Sequence, residues 1–134
     1  MAADGLTTIA SAFGPAETAS RFEAAVEQKG MTLFARIDHA AGAAAVGLTL
    51  RPTLLLIFGS AKAGTPLMQQ DQTIGIDLPL KALVWQDATG KTFLSYNEPR
   101  WLAQRHGLGP GAQVPIDAMT AGLVALARQA TTAP

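Results

Sequence analysis

Cysteine is absent from this chain of 134 residues, and with it go disulfides, thiolate zinc sites, iron–sulfur clusters and thiol nucleophiles. Net charge is absent as well. Ten basic residues balance ten acidic ones, so there is no long-range positive field to neutralise phosphates, and nucleic acid is not an expected partner. Long apolar runs are missing too. The longest candidate, Leu54 to Phe58 with its flanks, falls short of the roughly 20 residues needed to span a bilayer, so no membrane insertion is expected. There is no internal repeat or low-complexity tract, no Walker spacing, no His-x-x-His pair, and no G-x-S-x-G elbow around Ser11, Ser20, Ser60 or Ser95. The chain therefore offers no motif for a bound cofactor, a metal or a serine nucleophile.

What is present is an apolar composition, 49% hydrophobic, in a length that suits one domain with a real core and no staples. Residues 1–5 (Met-Ala-Ala-Asp-Gly) read as a frayed start or as the small-residue junction that follows signal-peptide cleavage. The second reading carries the expectation of a periplasmic home; the alternative is an ordinary cytoplasmic start. Residues 6–108 form the expected domain, and residues 109–134 a linker and a helix packing on that domain.

Hydrophobic patterning supplies the elements. Leu6 to Phe13 reads as a strand ending at Gly14-Pro15, which opens a helix with Ala19, Phe22, Ala25 and Val26 on one face and Gly30 as its stop. Met31 to Ile37 alternates as a second strand. Asp38 is placed to cap a short Ala-rich helix over His39 to Ala45. Thr53 to Phe58 is unbroken apolar, which suggests a strand buried on both faces. Gly64 and Pro66 interrupt Lys62 to Gln70, so a regular helix is not expected there. Leu78 to Gln86 and Thr92 to Tyr96 flank the turn Asp87-Ala88-Thr89-Gly90 as a hairpin. Glu98-Pro99 begins a helix to His106, and Ile116, Met119, Leu123 and Leu126 mark the last helix. About five strands with three or four helices argue for an α+β fold, with helices on one face of a largely antiparallel sheet.

The polar residues concentrate between Ala35 and Lys81, at the ends of these strands. Asp38-His39 is the sharpest pair, because an imidazole beside a carboxylate exchanges protons near neutrality. Arg51 and Lys62 bracket the apolar strand, and Gly59-Ser60 adds backbone donors, a set that suits a carboxylate, a phosphate or a sulfur oxyanion. Thr65 and Met68 lie on the loop or helix that follows. His106 reads as a helix-end residue suited to the dipole, and Trp85 and Trp101 as core or interface anchors.

FARIDHAAGA at 34–43, VGLTLRPTLLLIFG at 46–59, KAGTPLMQ at 62–69, IDLPLKALVW at 76–85 and SYNEPRWLAQRHGL at 95–108 closely resemble the DUF302 family, a domain of unknown function. The resemblance implies a compact α+β domain of TATA-binding-protein-like β-α-β(4)-α arrangement, often dimeric, and brings no DNA binding and no established catalytic residue. The expected function is then a small-molecule or small-anion binding homodimer, with Asp38, His39, Arg51, Lys62, Thr65 and Met68 about one pocket. One rival is a cofactor-independent enzyme in which His39 moves protons, Asp38 orients it and Lys62 stabilises negative charge. Another is an interaction module that meets its partner through Trp85 or Trp101.

Overall fold

The first strand, β1 (Leu6–Ala10), gives way at Gly14 to α1 (Pro15–Gln28), where Pro15 costs nothing because a first-turn N–H has no helical acceptor. The computed structural model describes residues 3–134, so the expected N-terminal junction lies partly outside the described residues. The chain continues through β2 (Thr32–Asp38), α2 (His39–Ala45), β3 (Thr53–Gly59), α3 (Ala61–Gln70), a 3₁₀ segment (Gln72–Ile76), β4 (Leu80–Gln86), β5 (Thr92–Asn97), α4 (Pro99–Arg105) and α5 (Gln113–Thr131). The strands form one five-stranded sheet in the order β1-β5-β4-β3-β2, and every ladder is antiparallel. Helix α1 carries the chain from one edge strand to the other.

Strand periodicity sorts the sheet into two faces. The ladder pairs put Leu56, Ala82 and Tyr96 on one face with Leu54, Val84 and Leu94. That face packs under α1 and α5, whose Ala19, Phe22, Ala25, Val26, Leu123, Leu126, Ala127 and Ala130 complete the core. The alanines let the two helices approach closely. Phe22 meets Phe58 edge to face, with ring centroids 5.0 Å apart. Both rings are fully buried, and truncating either would cost about 3–5 kcal/mol.

Three sequence expectations change. Ala61 to Gln70 is one helix despite Pro66. The missing proline N–H leaves the Lys62 carbonyl without its helical donor, yet Gly64 and Leu67 are buried, and Leu67 packs with Ile74, Leu102, Ala112 and Ile116 in a second cluster. Tertiary burial outweighs the local penalty. Strand β3 buries Leu56 and Phe58, whereas Leu55 and Ile57, on the face turned away from the α1–α5 core, are only half-buried. Finally, the β2–β3 register shifts between Leu33 and Ala35, so Phe34 is the extra residue of a bulge and breaks the expected alternation.

Candidate functional site

Thr32 pairs with Gly59, so the C-terminal end of α1 and the N-terminal end of α3 meet beyond one end of the sheet. Between this junction and α5 lies a cleft of about 580 Å³. Its walls come from Met31 and the bulged Phe34, the ends of β3 and β4, the inner side of α3, and the α5 face running from Pro115 to Leu126. Small residues on two walls leave room: Gly64 on α3, and Ala118 and Gly122 on α5, all line the cleft. A Cβ built on Gly122 would meet no atom within 4 Å. Met31, Met68 and Met119 supply flexible, polarisable lining.

The polar side chains of the lining are Lys29, Ser60 and Lys62, and no carboxylate joins them. All three lie at the α1–α3 junction. Lys29 caps the C-terminal end of α1, Ser60 occupies the N-cap position of α3 without a side-chain capping bond, and Lys62 stands in the first turn. Both lysines are exposed, and among the described residues neither is ion-paired. The cleft is thus apolar along its length and cationic at one end.

This geometry divides the residues singled out in the sequence. Lys62 and Met68 line the cleft, whereas Thr65 is exposed on α3 and is not part of the lining. Asp38, His39 and Arg51 belong to the other end of β3, since Asp38 pairs with Leu54 and Arg51 precedes the strand. Seven residues of strand separate the two ends by roughly 20 Å at about 3.3 Å per residue. His39 and Lys62 therefore do not share a site. Asp38 Oδ1 accepts the Ala41 N–H at 2.9 Å, which makes it the cap of α2, and His39 is exposed in the first turn.

A second polar constellation was not legible in the sequence. Asp77 Oδ2 lies 2.5 Å from His106 Nε2 and accepts from Arg105 Nη1 at 2.8 Å. The His106 and Asp77 side chains are only 8% and 14% exposed. His106 Nδ1 lies 3.0 Å from Thr73 Oγ1, whose hydroxyl donates to Asp71 Oδ1 at 2.6 Å. The Thr73 hydroxyl, and then the Thr73 backbone N–H, hold the Asp71 carboxyl below its ordinary range. This network ties the segment after α3 to the end of α4 and braces the α3 wall of the cleft. Asp77 and His106 are separated by 29 positions, and neither segment carries a local signal naming its partner.

Comparison with known proteins agrees with the architecture. The crystal structure of an uncharacterized conserved protein DUF302 from Bacillus stearothermophilus superposes with a TM-score of 0.85, covering 96% of this chain and 99% of that one at 20% identity. At that identity the likeness establishes the fold. Two relatives, each named fluoride-specific ion channel FluC 1, from Brucella suis biovar 1 (strain 1330) and Brucella abortus biovar 1 (strain 9-941), are 51% identical over 118 residues. The matched part is 88% of this chain but only 46% and 44% of those proteins. Among the described residues no helix is long and apolar enough to cross a membrane. The domain of unknown function DUF302 matches residues 7–126, from β1 to well inside α5, and the chain belongs to the DUF302 family.

Proposed function

We propose that this domain binds a small molecule in the cleft between α3 and α5. The observation that carries the reading is the cleft itself, whose volume of about 580 Å³ falls within the ~300–1,000 Å³ typical of ligand sites that are mostly apolar with a few polar groups. A bare, strongly hydrated anion suits this lining poorly, because the apolar walls replace none of its hydration. The relatives' name concerns proteins about twice the matched length, so the reading carries binding and not ion conduction. A neutral, environment-sensitive fluorophore tests it. Fluorescence should rise on binding to the native protein and rise less with Gly122→Leu, which narrows the cleft; equal binding to both would refute the site.

The same proposal includes a homodimer formed through the open sheet face. Ladder pairing aligns Ile37, Leu55 and Leu83 there, flanked by Ile57, Trp85 and Phe93. Trp85 stacks on Phe93 at 4.8 Å between centroids, and its indole N–H donates to Ser95 Oγ at 2.9 Å. A one-sided antiparallel sheet ordinarily turns polar residues to water, so an apolar stripe on this face, beside Thr53, Lys81 and Ser95, favours a partner. A second copy of the chain presents the same surface and closes the pair by two-fold symmetry. Sedimentation analysis should find a dimer that Leu55→Asp converts to monomer; a native monomer at micromolar concentration would refute it. A periplasmic setting belongs to the same proposal and is checked by cell fractionation.

A further inference from the structure

We propose that the ligand of this cleft is a single-chain amphiphile with an anionic head, of the alkyl carboxylate class, its head at Lys29, Ser60 and Lys62 and its chain between α3 and α5. The inference rests on the binding reading above and assigns the chemistry of the occupant.

The polar groups lie at one end of the site because the Thr32–Gly59 pair brings the α1 and α3 termini together. Two unpaired ammonium groups, a hydroxyl that caps nothing and the positive end of α3 all favour a negative head, and the absence of any lining carboxylate removes competition for it. From that end onward the lining is apolar. Met68, Met119, Leu123 and Leu126 offer no hydrogen-bond partner to a ligand, so a second polar group deep in the site would be left unsatisfied. The unbranched thioether chains of Met31, Met68 and Met119 adapt to a flexible alkyl chain better than branched residues do. One charged end and one long apolar end in the site call for the same division in the ligand.

The test is displacement of the neutral fluorophore by dodecanoate, 1-dodecanol and dodecylammonium, each below its micelle concentration or solubility limit. Dodecanoate should displace the fluorophore at a concentration at least about tenfold lower than dodecanol, the scale of one charge-assisted contact. Dodecylammonium should be the weakest. The double variant Lys29→Glu, Lys62→Glu, with both changes at exposed positions, should reverse the order of the two ions relative to dodecanol as the neutral reference. If dodecanol competes as well as dodecanoate, or if charge reversal leaves the order intact, the head-group assignment is overturned while the cleft remains a binding site. Failure of the fluorophore itself to bind overturns both.

Discussion

Replacing Gly122 with alanine should stabilise this protein, although the change falls in the wall of the candidate cleft. Gly122 lies inside α5 (Gln113–Thr131), where glycine is disfavoured by about 0.8–1 kcal/mol relative to alanine through lost backbone entropy. Its φ is not positive and the added Cβ meets nothing within 4 Å, so no strain or clash offsets the gain. The expected result is about 0.5–1 kcal/mol of added stability, or a rise in Tm of about 2–5 °C for a domain of this size. Urea unfolding should show a higher midpoint with an unchanged m value. The gain would mean that glycine stands there for the space it leaves and not for its backbone freedom. An unchanged or lower midpoint would refute that, because it would require an occupied neighbourhood or a strained helix at that point. Gly122→Leu should likewise remain folded, which makes weaker fluorophore binding in that variant a statement about the cleft.

The opposite outcome is expected at Gly5, whose φ is +74° and whose added Cβ would stand 2.3 Å from the Trp101 ring. Gly5→Ala should cost about 2 kcal/mol or more, combining left-handed strain with displacement of the indole, and a native-like unfolding midpoint with unchanged tryptophan fluorescence would contradict this. Asp77→Ala should cost about 2–4 kcal/mol, chiefly by leaving the nearly buried His106 without its carboxylate, since the exposed Arg105 contributes little. A double-mutant cycle with His106→Ala should give a coupling of about 1–3 kcal/mol; additive losses would mean that the pair does not act as a unit. The Asp71 and Asp87 carboxyls are both held below the ordinary range, by the hydroxyls of Thr73 and Thr89 first and by backbone N–H groups next. Their contribution is therefore present above the unfolded carboxylate pKa and is lost as pH falls through the depressed folded values. The Asp71→Asn, Asp87→Asn variant should lose less stability between neutral and acid pH than the native protein does, and an identical acid dependence would sink the assignment.

Local patterning was legible where each residue's environment depends on near neighbours. Pro15 and Gly30 bound α1, Asp38 caps α2, and the turn at Gly90 joins β4 to β5, as alternation and turn chemistry require. The α3 helix was not legible, because the burial of Leu67 that offsets Pro66 depends on Ile74, Leu102 and Ile116, which reach it only through the fold. The candidate site was half legible for a related reason. Lys62 and Met68 stood out by type and do line the cleft, whereas Lys29, Phe34, Met119 and Gly122 carry no chemical signature and become neighbours only when α1, β2 and α5 pack.

Taken alone, the order of residues determined the α+β class and excluded thiol and disulfide chemistry, because these depend on composition and on contacts a few positions apart, and its long matching stretches pointed to the family by resemblance. Which polar groups share a site was decided by tertiary structure alone. An antiparallel strand of seven residues carries its two ends roughly 20 Å apart, so His39 and Lys62 part company, while one ladder pair between Thr32 and Gly59 draws Lys29 to Lys62.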